Sequence, residues 1–288
     1  MAIKRDLTGH AGNEIAAEAR KLGKINLRAS TIEQFIRCPY QYYSFHIAGE
    51  QTRRPSAAAA LGTAVHKAME VGLLEKIETG SLPPMSVLED AAHENWMAAS
   101  QDEDMMYNEA TLESFENVDK AVISGANIYG SELMPTLEPI ATERVFTHVI
   151  EDHPIIHALQ GSIDIEEERG CGDLKVTKDK TSGNKHILQL STYAHLRELN
   201  DLDTPYSFID NVIKGRKLGN KMRTERMPVA VKTDYAKFWI DQILATTEEF
   251  HKTGNELLFR GTNPTNNFLC NPKWCSKWDT CPYVAHLK

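Results

Sequence analysis

The spacing of apolar positions along the chain changes character near residue 140. Before it the spacing is helical. Ser30 followed by Glu33 has capping-box spacing and predicts a helix start, with Ile32, Phe35 and Ile36 turned inward. Residues 57–70, rich in Ala with one Gly, predict a second helix whose small residues permit close backbone approach, and His66 points out of its packed face. Val87, Leu88, Ala91 and Trp96, then Leu112, Phe115, Val118, Val122 and Tyr129, continue the helical pattern around an acidic loop.

From Ile140 the pattern becomes strand-like, over residues 142–150, 157–165 and 171–176. Residues 166–172 between the last two predict a turn. Residues 189–199 predict a helix and 205–214 and 227–231 further strands. A long amphipathic helix starts at Thr233 and carries Phe238, Ile240, Ile243, Leu244 and Phe250. This order predicts an α/β fold, with a mixed central sheet flanked by helices. The expected organisation is one domain over residues 30–288 with a helical insertion at about 67–135, preceded by a peripheral arm over residues 1–29 with a short helical patch at 15–22.

Composition agrees with a folded domain: 288 residues, 41% of them hydrophobic, can build a core. No apolar run approaches the roughly 20 residues of a membrane span, and the first residues lack the apolar core of a secretory signal. A soluble, cytoplasmic protein is expected.

The formal charge of -8 argues against a nucleic-acid partner until its distribution is considered. Residues 87–119 hold ten acids and no Lys or Arg, which leaves the remainder at +2. Between Lys214 and Lys237 eight bases face two acids, and Lys214, Arg216 and Lys217 begin a loop with two glycines that suits a phosphate track.

Candidate chemistry concentrates in residues 161–193. A hairpin would bring Asp164 and Asp173 to one end of a sheet, and two carboxylates suit Mg²⁺ or Mn²⁺. Asp173 and Lys175, two apart on a strand, leave the same face. That places an ammonium beside the metal, where it can orient water against a phosphodiester whose oxygens the ion clamps. Gln189 and Tyr193 lie one helical turn apart just beyond.

Leu61-Gly62-Thr63-Ala64-Val65-His66, Gly161-Ser162-Ile163-Asp164, Asp173-Leu174-Lys175 and Gln189-Leu190-Ser191-Thr192-Tyr193 together resemble, in order, the RecB-like branch of the PD-(D/E)XK nucleases. The resemblance spans about residues 30–284. It implies metal binding by His66, Asp164 and Asp173, assistance to water by Lys175, and site support and DNA contact from Gln189 and Tyr193. Glu143 stands where such proteins often carry a strand glutamate; a solvated strand acid is the other reading.

Five cysteines in a reducing compartment argue for a metal or cluster over disulfides. Cys270, Cys275 and Cys281 supply three thiols, and Cys38, followed like Cys281 by Pro-Tyr, is the candidate fourth. Spacing fits Zn²⁺ as well as iron and sulfur. The resemblance implies a [4Fe-4S] staple between the two ends of the domain, as in the iron-sulfur variety of this branch, although the four residues between Cys270 and Cys275 exceed the usual spacing. Cys171 reads as an ordinary buried strand residue. The expected function is a metal-dependent deoxyribonuclease, an exonuclease on single strands or DNA ends, with any helicase or recombination partner a separate chain. A cluster-bearing DNA-binding or adaptor protein with weak or no hydrolysis, and a zinc-stapled regulatory protein without nuclease chemistry, are the competing readings.

Overall fold

The computed structural model describes residues 10–50, 55–262, 270, 275 and 277–287. A six-stranded sheet lies between two layers of helices. The first nine residues of the expected arm, and residues 271–274 and 276 of the cysteine segment, lie outside the described residues.

The chain begins with α1 (His10–Lys21) and a short strand β1 (Ile25–Leu27), then α2 (Ala29–Arg37) and the single turn α3 (Pro39–Tyr42), extended by a π-helical turn over Tyr43–Ile47. α4 (Ala57–Thr79) is capped by Ser56, whose side chain accepts from the Ala59 N–H, and it ends at Gly80 in the left-handed conformation. It packs against α5 (Met85–Ala99) and α6 (Phe115–Glu132). A Cβ on Gly125 would stand 2.9 Å from Val65 Cγ2, so only glycine lets α6 approach α4 this closely.

The sheet continues with β2 (Pro139–Val149), β3 (Ile156–Glu167) and β4 (Gly170–Thr177), then α7 (Ile187–Glu198), β5 (Tyr206–Ile213), β6 (Arg223–Pro228) and α8 (Thr233–Thr253). β2 runs antiparallel along one edge of β3 from Ala158 to Glu167. On the other edge β1 runs parallel over Ile156–Leu159, and β4 antiparallel over Ile165–Glu167. β4 pairs parallel with β5, and β5 antiparallel with β6, so the sheet is mixed as expected.

Two hydrophobic cores follow from this sandwich. One joins α4, α5 and α6 to Ile165, Leu174, Phe208 and Val212; the other joins α2, α7 and α8 to Ile163, Cys171 and Ile209. Cys171 is fully buried, as expected of an ordinary strand cysteine. The polar centre of the second layer is Arg197 against Glu166, both fully buried at 2.5 Å, with Arg144 2.9 Å from the same carboxylate.

Several local expectations are corrected. Residues 166–172 are mostly strand, and the turn narrows to Glu168 and Arg169, because Glu166 and Glu167 are held inside by arginine and tyrosine partners. The last strand starts at Arg223 rather than Met227. α2 starts with Arg28 as N-cap, and the reciprocal residue is Thr31, whose hydroxyl accepts from the Arg28 N–H at 2.8 Å. Glu33 is thereby released from capping. β1 was not anticipated, since three residues are too few for a period to show. No helix among the described residues is long and apolar enough to cross a membrane.

Candidate active site

Between Leu159 and Ile165 the inner edge of β3 has no strand partner among the described residues, because β1 has ended and β4 has not yet joined. A cavity of about 500 Å³ opens at this gap, lined by Gln160, Ser162, Asp164, His66, Asp173, Lys175 and Gln189 among others. The sheet thus leaves its active edge unpaired where the polar residues of β3 and β4 face each other.

Asp164 is nearly buried, yet its carboxylate replaces the missing ladder: Oδ2 accepts from the Leu174 N–H at 2.9 Å, and its own carbonyl accepts from Thr142 Oγ1 at 2.8 Å. His66, reaching in from α4, places Nδ1 3.3 Å from Asp164 Oδ2 and 3.8 Å from Glu143 Oε1. Glu143 sits on β2 across from Asp164 with φ +48°, a left-handed conformation costly for a non-glycine residue inside a strand. Its other oxygen accepts from Ser162 Oγ at 3.0 Å. The conformation sets the carboxylate between His66 and Ser162.

Ligand atoms of His66, Glu143 and Asp164 all lie within 4.8 Å of one another. Octahedral oxygen ligands at about 2.1 Å from an ion stand about 3 Å apart, so small movements would let these donors share a divalent cation. Electrostatics point the same way. Burial and the nearby Asp173 push the Asp164 carboxyl up to about 8. Burial alone would lower His66, but Asp164 and Glu143 hold it up at about 9. A crowd of acids that retains protons in a buried pocket is what a dication relieves.

Asp173 lies outside that trio. Its Oδ1 accepts from Gln189 Nε2 at 2.5 Å, and its Oδ2 is 2.6 Å from Lys175 Nζ at an angle outside hydrogen-bond geometry. Burial works against the Lys175 charge, but Asp173 and Asp164 raise its pKa above the ordinary value, so it is an ammonium donor and not a base. Gln189 Nε2 also donates to Tyr193 Oη at 2.9 Å, which fixes both amide hydrogens. Tyr193 is packed tightly: a Cβ on Gly161 would stand 3.1 Å from its ring.

The structure therefore gathers His66, Asp164, Asp173, Lys175, Gln189 and Tyr193 around one cavity, with Glu143 at hand. Glu33 and His186, which the sequence did not single out, also line it. Their signal was hidden: Glu33 reads as a capping residue, and His186 as part of a lysine-rich loop. Burial and then Lys175 push His186 down to about 4. Lys214, Arg216 and Lys217 do not line this cavity. Their loop follows β5, with Leu218 and Met222 buried in the helical core and Arg216 3.6 Å from Asp179.

Cys38 and Cys281 start two Cys-Pro-Tyr tripeptides that meet, with the Tyr40 and Tyr283 rings 5.4 Å apart, edge to face. Burial raises the Cys270 thiol, and Cys275, Cys38 and Cys281 raise it further. Among the described residues no three of their sulfurs lie within 4.8 Å of one another. That is wider than a single tetrahedral ion holds its thiolates, at about 2.3 Å from each.

A family model described as the PD-(D/E)XK nuclease superfamily matches residues 26–285. Among solved structures, a candidate exonuclease from Eubacterium rectale is similar with a TM-score of 0.51 at 11% identity, over 88% of this chain and 86% of that one. That likeness is one of fold. The protein SSO0001 aligns over 88% of this chain and 95% of its own at 11% identity, with a TM-score of 0.33 too low to carry an argument. No curated protein matches the chain.

Proposed function

Because the chain belongs to the PD-(D/E)XK nuclease superfamily, we propose that it hydrolyses DNA phosphodiester bonds with Mg²⁺ or Mn²⁺, as an exonuclease on single strands or DNA ends. The observation that carries the reading is the convergence of His66, Glu143 and Asp164 on one another beside a cavity that His66, Asp164, Asp173 and Lys175 line. His66, Asp164 and Glu143 are the residues that would hold the ion, and Asp173, which lines the same cavity, would be the further acid ligand. The ion supplies charge neutralisation on the phosphoryl oxygens and a more acidic water.

The remaining work falls to the chain's own groups. Lys175, held charged beside Asp173, donates toward the attacking water and toward charge developing on phosphorus. Gln189 fixes Asp173 through its amide, and Tyr193 fixes Gln189. The near-burial of Asp164 and Asp173 keeps bulk water from screening these interactions.

The RecB-like iron-sulfur assignment belongs to the same proposal. Cys38, Cys270, Cys275 and Cys281 would hold a [4Fe-4S] cluster that ties α3 to the C-terminal segment, supported by the meeting of the two Cys-Pro-Tyr tripeptides. Anaerobic purification decides it: a brown protein with iron and sulfide supports the cluster, and a colourless one with stoichiometric zinc replaces it.

The test of the activity is degradation of labelled single-stranded DNA with Mg²⁺ or Mn²⁺, beside an Asp173→Ala control. Wild-type cleavage well above the control is expected. Equal cleavage with either ion defeats the reading.

A further inference from the structure

A second cavity, of about 440 Å³, adjoins the first. Glu33 lines both, and the two consecutive residues Lys185 and His186 divide between them: His186 lines the first and Lys185 the second. The wall between the cavities is thus α2 on one side and the start of α7 on the other. α7 has no side-chain cap and no acid in its own first turn, so its positive dipole end meets this wall with Glu33 of α2 as the acid lining it. His186 is 8% exposed, and its Nε2 is buried with no hydrogen-bond partner among the described residues. A buried donor or acceptor of this kind points to a ligand group.

The second cavity differs from the first in chemistry. Its floor is apolar, from Ile36 and Leu188, while Arg37, Lys185 and Lys232 bring three positive charges to its rim and Tyr235, 42% exposed, presents a ring. Glu33 is the one acid among its lining residues, and burial raises its carboxyl above the ordinary value against the opposing effect of Lys175, Arg37 and Lys185. A planar apolar group with a phosphate on each side fits such a site: cations track the backbone and an aromatic ring takes a base.

Resting on the nuclease reading above, we propose that the second cavity is a nucleotide subsite for single-stranded DNA. One phosphate lies at the reacting centre, the next crosses the N-terminus of α7 within reach of His186, and the adjoining base enters the second cavity against Tyr235. Lys185 and Lys232 hold the backbone there. This places the strand along α7 and not along the loop after β5.

The test is direct binding, measured in EDTA so that no cleavage occurs, by fluorescence anisotropy of a dye-labelled oligothymidylate over a series of salt concentrations. The Lys185→Ala/Lys232→Ala double variant is expected to bind about tenfold more weakly. Its slope of log affinity against log salt should fall by about 1.4, since each phosphate contact on a single strand contributes about 0.7. Tyr235→Ala should lose about tenfold with an unchanged slope, because stacking is not a charge contact. A Lys21→Ala/Lys120→Ala variant, whose lysines line neither cavity, should match the wild type.

Unchanged affinity and slope in the first variant, or an equal loss in the Lys21→Ala/Lys120→Ala variant, overturns the subsite. If the wild type cleaves DNA with Mg²⁺ while the subsite variants bind normally, the subsite alone fails. A wild type that neither binds nor cleaves single-stranded DNA removes both it and the nuclease reading.

Discussion

Metal binding at the proposed centre should release protons, and the structure sets how the release depends on pH. In the metal-free protein the Asp164 carboxyl is held up at about 8, by burial and then Asp173, and His66 at about 9, by Asp164 and Glu143 against the opposing effect of burial. The two groups are 3.3 Å apart and titrate as a pair. At pH 7 the pair therefore holds at least one proton that a cation must displace. Each proton released steepens log affinity by about one per pH unit, so Mn²⁺ affinity should climb about 10- to 100-fold per unit between pH 6 and 8 and level off above about 9. Titration calorimetry in two buffers of different ionisation enthalpy counts the protons directly. His66→Gln should lower the count and flatten the slope. A heat independent of buffer at pH 7, or a flat affinity across that range, would refute the assignment of these residues to the cation. The same values fix the sign for stability. The folded state keeps the Asp164 proton up to about 8, whereas the ordinary carboxyl releases it near 3.8, so folding takes up a proton between these values. His66, raised from 6.5 to about 9, acts in the same direction: its contribution is present below 6.5 and lost as pH rises through 9. The metal-free protein should lose stability with rising pH, and saturating Mn²⁺ should suppress the loss.

Other perturbations separate stability from chemistry. Arg197→Ala removes a fully buried partner of Glu166 and should cost about 3–5 kcal/mol. With an unfolding entropy of about 2.1 cal/mol/K per residue, that lowers Tm by roughly 5–8 °C in calorimetry for a chain of this length. Gly161→Ala puts a methyl 2.9 Å from Leu196 Cδ1 and 3.1 Å from the Tyr193 ring. It should cost about 1–3 kcal/mol in urea unfolding and lower kcat by moving the Tyr193, Gln189 and Asp173 chain. Cys38→Ser should abolish the iron-sulfur absorbance of anaerobically purified protein while leaving Asp164 and Asp173 in place. A coloured variant with full iron content would remove Cys38 from the ligand set.

Much of the site was legible because its signals are local. Asp173 and Lys175 share a strand face by the two-residue period, and Gln189 and Tyr193 share a helix face by the four-residue step. Strands β2 to β5, the long helix α8 and the mixed α/β architecture followed from the same periods, whereas β1 did not and β6 was placed four residues late. The Glu33 reading failed on competition: its spacing from Ser30 satisfied a capping rule, but Arg28 and Thr31 formed the cap. Glu33 was then free to face the cavities.

What the sequence determined alone is therefore which residues could carry the chemistry and which faces of their elements they occupy. Tertiary structure decided which of them meet. The stretch of β3 whose inner edge lies open between β1 and β4, the left-handed backbone that turns Glu143 toward His66, and the division of Lys185 and His186 between two cavities all depend on pairings between distant segments. Side-chain period is set by bonds between neighbours in the chain. The opening and closing of a sheet edge is set by packing and hydrogen bonding across 19 residues, as from Glu143 to Ser162, or 131, as from Ile25 to Ile156.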